Sequence, residues 1–324
     1  MSQQSATKYQ LGTALVAGKQ TVVLAHQEQF FNLHTLLEYI RAKHMLPTEI
    51  RELSESLLEL IEDWSYWNET LAQVVKTLFA HRSEQAFADT LLQNEELHWL
   101  PPVMYPRKLI CIGTNYRDHI AEMGVTRLPR YPYSFLKPAT TTLIGSGTPL
   151  QLPEQAKMVD WEAELAVVIG QRARAIRKED ALQYVAGYSL LNDVSARDWI
   201  ADAPPVGIDW VMQKAFDGFA PLGPLFTPAL FVPDPQQLRI TLMVNGQMKQ
   251  DSTTANMVFS VREIIEHLTS IMTLEPGDVI ATGTPAGVGH GKKPPEYLRA
   301  GDMMIVAIEG LGQLETPVIA MQNR

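Results

Sequence analysis

The chain has 324 residues, 46% of them hydrophobic and 19% charged, with a net charge of −9. That is enough apolar material for a large core and a smaller unit, and it excludes a disordered chain. The negative charge argues against nucleic acid or an anionic membrane as partner, and no apolar run approaches the ~20 residues that cross a bilayer.

The polar start MSQQSATKYQ lacks the basic-then-apolar layout of a secretory signal, so the chain is expected in the cytoplasm. Residues 11–25, LGTALVAGKQTVVLA, place two apolar runs around Gly18, the pattern of a hairpin with glycine at its turn. Helical spacing follows in NLHTLLEYIRAKHM and from Thr48 to about Arg82. The proline-rich LPPVMYP, residues 100–106, interrupts any helix and marks the expected boundary between a small N-terminal domain, 1–105, and a larger domain, 106–324.

Beyond that boundary the runs become short and β-rich: KLICIG, ELAVVIG, AGYSLLND, RITLMVNG, DVIATG and MMIVAIEG. Many short strands and few helices predict a β-rich α+β fold of barrel or roll type. Ser260 and Glu263 form a capping box before VREIIEHLTSIM. Cys111, the only cysteine, excludes internal disulfides and multi-cysteine metal sites; inside KLICIG it reads as a small core residue.

The chemistry concentrates in three places. In VDWEAELAVVIG, Glu162 and Glu164 are two apart, which on a strand points both to one face. Like charges so close need a cation, a proton or bulk water. A solvated sheet face would satisfy the same spacing, but ELAVVIG is apolar enough to be buried, and buried carboxylates need a partner. Asp193, at the end of the next strand-like run in NDVSARD, adds a third oxygen; an all-carboxylate set suits Mg2+ or Mn2+ rather than zinc. In GTNYRDHIAEMG, His119 and Glu122 are three apart, so on a helical turn the carboxylate can orient the imidazole as a base. A pair of solvated surface neighbours would have the same spacing. Lys137 and Lys214, each in an apolar setting, are candidate anion binders.

Taken in order, GTNYRDHIAEMG, SFLKPATTTLIGSG, VDWEAELAVVIG, GYSLLNDVSARDW, KAFDGFAPLGP and TLEPGDVIATGTPAGVG strongly resemble the fumarylacetoacetate hydrolase family, from about Lys108 to Val318. The resemblance implies a mixed β-sandwich roll in a homodimer. It implies metal ligands at Glu162, Glu164 and Asp193, a water-activating dyad at His119 and Glu122, and an oxyanion-stabilising Lys214. It also implies pocket-lining roles for Arg117, Lys137 and Thr284. One departure stands out: after SARDW many relatives carry a substrate-contacting glutamine, whereas this chain has Ile200.

The activity the resemblance implies is metal-dependent hydrolysis of a carbon–carbon bond in a 2,4-dioxo acid of acylpyruvate or fumarylacetoacetate type. The alternatives share the same enolate chemistry: decarboxylation of oxaloacetate, or keto–enol isomerisation of a 2-oxo diacid or a 2-hydroxy-dienedioate. A non-catalytic small-molecule binder is the remaining reading, which the presence of all three carboxylates and the His–Glu pair disfavours.

Overall fold

The computed structural model describes residues 8–321 apart from 47–49, 54–55, 82–84, 202–204 and 206. Strands and helices are numbered in chain order. The main sheet runs β4 (Leu91–Leu92), β3 (Gln29–Asn32), β2 (Lys19–His26), β1 (Gln10–Val16), β15 (Leu225–Pro228), β12 (Val185–Asn192), β11 (Ala163–Ile169), β18 (Val279–Ala281), β6 (Leu109–Gly113), β7 (Tyr133–Lys137), with β5 (His98–Leu100) paired to β1. A five-stranded sheet follows the order β17 (Gln247–Thr253), β16 (Arg239–Val244), β19 (Met303–Ile308), β20 (Gly312–Ala320), β9 (Leu150–Leu152). Two short pairs complete the strands: β10 (Val159–Asp160) with β13 (Ser195–Ala196), and β8 (Leu143–Ile144) with β14 (Ala220–Pro221). The pairing is mixed, since β18 runs parallel to β6 and β20 parallel to β9 while most ladders are antiparallel.

The hairpin at Gly18 forms as the apolar alternation requires, with β1 paired to β2 from Gln10↔Ala25 to Val16↔Lys19. Helix α1 (Leu33–Ala42) starts at Asn32, whose side chain accepts from the Thr35 N–H, and buries Leu33, Leu36, Leu37 and Ile40. The helical stretch expected from Thr48 onward is two helices, α2 (Leu57–Glu62) and α3 (Trp64–Ala80), divided at Asp63; Thr48, Glu49, Ser54, Glu55 and Arg82 lie outside the described residues. A short α4 (Gln85–Ala88) precedes β4.

Both faces of the main sheet are covered, which is why β11 is buried at every position. Leu165, Val167 and Ile169 pack toward the five-stranded sheet, with Ile240, Leu242, Met304, Val306 and Leu314. Ala166 and Val168 belong to a second core that includes Leu36, Ile40, Leu71, Val75 and Leu78 of the leading helices. The sheet also crosses the expected 105/106 boundary, because β1 pairs with β15 at Leu11↔Phe226 and Gly12↔Leu225. The remaining helices are α5 (Arg117–Glu122), α6 (Asp198–Ala201), α7 (Trp210–Lys214) and α8 (Val261–Ile271), the last with the predicted Ser260–Glu263 capping box formed.

Candidate active site

The β11–β12 ladder, with Ala163 opposite Asn192, sets the positions of the three acids. Glu162 lies just before β11 and Glu164 is its second residue, while Asp193 directly follows β12. The Asp193 N–H donates to the Glu162 carbonyl (2.9 Å), and the Glu162 N–H donates to Oδ1 of Asn192 (2.9 Å), so the backbone itself clamps these residues together. One carboxylate oxygen from each of Glu162, Glu164 and Asp193 lies within 4.8 Å of the others, and all three residues are buried.

Three cations surround them. Lys137 of β7 donates to Oδ1 of Asp193 (2.5 Å) and to the carbonyls of Val194 (3.1 Å) and Phe219 (2.6 Å). Lys214, the last residue of α7, donates to Oε2 of Glu162 (2.8 Å), Oδ2 of Asp193 (2.6 Å) and the Asp193 carbonyl (3.2 Å). Arg197 bridges Oε1 of Glu162 (2.5 Å) and Oδ2 of Asp160 (3.0 Å). An ammonium group has three N–H bonds, so each lysine has every donor occupied inside the cluster. Lys137, at 3% exposure, thus holds Asp193 in place with all three of its donors.

The acids differ sharply in charge balance. Burial disfavours the Glu162 carboxylate, but Lys214 and Arg197 outweigh that cost and hold its pKa well below the ordinary range. Burial also works against the Lys214 ammonium, yet Asp193 and Glu162 keep it above the usual lysine value. Among the described residues no cation pairs directly with Glu164, whose hydrogen bond comes from the Gly283 N–H (2.6 Å). Burial, then Asp193 and Glu162, push its pKa well above the ordinary value. The cluster thus brings four acids (Asp160, Glu162, Glu164, Asp193) against three bases (Arg197, Lys137, Lys214), and Glu164 is the acid left without an ion-pair partner. An all-oxygen donor set with a surplus negative charge fits a hard divalent cation.

The expected dyad forms on α5. His119 Nδ1 lies 3.2 Å from Oε2 of Glu122, whose Oε1 accepts from the Gly287 N–H (2.9 Å). The helix start is fixed by Asp118, which accepts from the His119 N–H (2.8 Å) and from the Ser252 hydroxyl (2.5 Å). The turn 283–287, GTPAG, joins the two halves. Its first residue donates to Glu164 and its last to Glu122, while the Gly287 carbonyl accepts from the Trp161 indole (3.1 Å). Both ends must be glycine: Gly283 has φ +98° and Gly287 φ +102°, and a Cβ on Gly287 would sit 2.0 Å from the Lys249 carbonyl oxygen.

Thr284 is buried in this turn and accepts from Nε2 of Gln250 (2.8 Å). Arg117 is exposed at the start of α5, and among the described residues nothing links it to the carboxylates. Ile200, on α6, is 39% exposed. A surface cavity of about 780 Å3 lined by Phe30, His98, Trp99 and Glu315 shares no residue with the cluster. Sequence reading missed Arg197, Asp160, Asn192 and Gln250. Arg197 and Asn192 stand inside the quoted NDVSARD motif, but their partners lie 35 and 30 residues away, and Gln250 is 87 residues from its partner Ala163.

A mixed β-roll carrying buried acids beside a His–Glu pair defines a metal-dependent class of enzyme, and the comparisons narrow it. The family model described as fumarylacetoacetate hydrolase, C-terminal, matches residues 108–319, and the chain belongs to the fumarylacetoacetate hydrolase family. It is 43% identical over 229 residues to a mitochondrial oxaloacetate tautomerase of Xenopus laevis, covering 71% of this chain and 70% of that protein. The solved fumarylacetoacetate hydrolase of Exiguobacterium antarcticum superposes with a TM-score of 0.76 at 32% identity, covering 97% of this chain and all of the other. The fumarylpyruvate hydrolase of Pseudomonas aeruginosa, solved with Mn2+ and pyruvate, gives a TM-score of 0.60 at 35% identity, over 67% of this chain and 91% of the other. Among the described residues no helix is long and apolar enough to cross a membrane.

Proposed function

We propose that this chain is a divalent-metal-dependent keto–enol tautomerase of a small 2-oxo diacid, with oxaloacetate as substrate. The observation that carries this reading is the 43% identity to an oxaloacetate tautomerase across 70% of both lengths. The site's geometry agrees with it. A tautomerase must take one proton from carbon and return one to oxygen, for which a single oriented imidazole, His119 held by Glu122, suffices.

Glu162, Glu164 and Asp193 would hold Mg2+ or Mn2+, which supplies positive charge to favour ionisation next to a 2-oxo group. His119, held by Glu122, takes the C3 proton of the keto acid and delivers a proton to the C2 oxygen. Glu122 in turn is held by Gly287, so the base keeps its orientation through the cycle. Lys214 keeps Glu162 and Asp193 ionised; contact with a substrate oxygen would require it to release one of its three acceptors.

Hydrolysis of an acylpyruvate is the second reading, favoured by the likeness to fumarylpyruvate hydrolase. The two are separated by following the enol absorbance of oxaloacetate and the cleavage of fumarylpyruvate with Mn2+ and with a chelator. Metal-dependent tautomerisation should dominate, and His119→Ala should slow it roughly 10²–10⁴-fold while Mn2+ binding persists. Cleavage of fumarylpyruvate without any effect on the oxaloacetate equilibration rate would overturn the proposal.

A further inference from the structure

Gln250 comes from β17, in the sheet opposite the one that carries the acids, and is 1% exposed. Both of its amide N–H bonds and its carbonyl oxygen have partners. Oε1 accepts from the Ala163 N–H (2.9 Å), and Nε2 donates to Oγ1 of Thr284 (2.8 Å) and to the Pro285 carbonyl (2.8 Å). This orientation is fixed by chemistry: Ala163 N–H can only donate and Pro285 C=O can only accept, so the amide cannot be flipped. Ala163 lies between Glu162 and Glu164, so one side chain ties the acid-bearing strand to the 283–287 turn.

The consequence falls on Thr284. Its oxygen already receives a hydrogen from Gln250, so its own O–H proton must point elsewhere. Among the described residues no acceptor takes that proton, although Thr284 is only 4% exposed. The preceding residue, Gly283, touches Glu164 directly. A buried hydroxyl proton without an acceptor beside the acid cluster is costly unless a ligand supplies an oxygen.

We propose that Gln250 is a positioning residue that fixes the Thr284 hydroxyl as a hydrogen-bond donor, so that the site selects ligands presenting a carboxylate or keto oxygen at that point. This rests on the reading of the site as an oxo-acid site. A ligand with no acceptor atom at that point would leave the Thr284 O–H proton without a partner.

The test uses oxalate, a non-reacting dianion, titrated calorimetrically into the Mn2+-loaded protein, with Mn2+ binding measured separately for each variant. Thr284→Val should weaken oxalate roughly tenfold or more, the scale of a hydrogen bond to a charged acceptor, and Thr284→Ser should restore most of the loss. Gln250→Met should also weaken oxalate, but should add nothing in the Thr284→Val background, because it acts through that hydroxyl. A Gln250 role confined to bracing the strand would instead weaken oxalate equally in both backgrounds, and that result overturns the proposal. Equal affinity of the Val and Ser variants overturns it as well, whether or not Gln250→Met folds. Because no turnover is measured, a protein that passes this test yet leaves oxaloacetate untouched would remove the tautomerase reading alone.

Discussion

Glu164 and Asp278 sit at opposite ends of the β11–β18 ladder, and burial raises the pKa of both, yet the two ends have different uses. Asp278 meets one cation, Lys108 (2.7 Å), and accepts from the Glu275 N–H (2.7 Å), which makes it a local fastening where β18 begins. Glu164 meets two further acids and one backbone N–H, while the nearby cations are engaged by its neighbours. Burial alone therefore does not make a site. What distinguishes the Glu164 end is a surplus acid that folding gathers beside two others with no base set against it.

The largest expected effect breaks that contrast at its acidic end. Glu164→Gln should abolish Mn2+-dependent stabilisation and lower oxaloacetate turnover at least ~100-fold, since a neutral amide is a weak ligand for a hard cation. The same change should leave the metal-free protein as stable or more stable, by an order of 1 kcal/mol, because a carboxyl that burial and two neighbouring acids disfavour in its ionised form gives way to a neutral amide. Melting curves in chelator and in Mn2+ would show the opposite signs; a metal-free protein strongly destabilised by this substitution would contradict the charge argument.

At the other end Lys108→Met should cost roughly 1–3 kcal/mol in denaturant unfolding, by stranding Asp278, while turnover stays near normal. Adding Asp278→Asn should recover part of the loss. Additive destabilisation in the double variant would mean the ion pair is not the source.

The smallest effect concerns pH. A carboxyl whose folded pKa is raised favours the fold in its protonated form; that contribution is present below the unfolded value of ~4.3 and is lost as pH climbs through the folded value. Mn2+ must displace this proton from Glu164, so the melting shift produced by Mn2+ should grow as pH rises above ~4.3. A shift independent of pH would place the cation away from Glu164.

The parts of this molecule legible in its sequence are those whose cause is local. The Gly18 hairpin, the Ser260–Glu263 cap, and the placement of Glu162 and Glu164 at the start of a buried strand each follow from side-chain patterning over a few residues. Asp193 could be placed because it ends the neighbouring strand of an antiparallel pair. Lys137 shows the opposite case. An apolar setting identified it as special, but its acceptors lie 56, 57 and 82 residues along, so its role as a brace for Asp193 emerges only on folding. Gln250 carried no local signal at all, being an ordinary polar residue on a strand whose amide is engaged across two sheets.

Through its ladder with β15, β1 seals one side of the catalytic sheet. Were the residues before 106 clipped away, β15 would become a bare margin, its backbone groups unsatisfied and the apolar surface of Ala166, Val168 and Phe226 wet. The leading hundred residues thus act as a hem, and a protease that trims them should release a fragment that sticks to itself before it loses its acids.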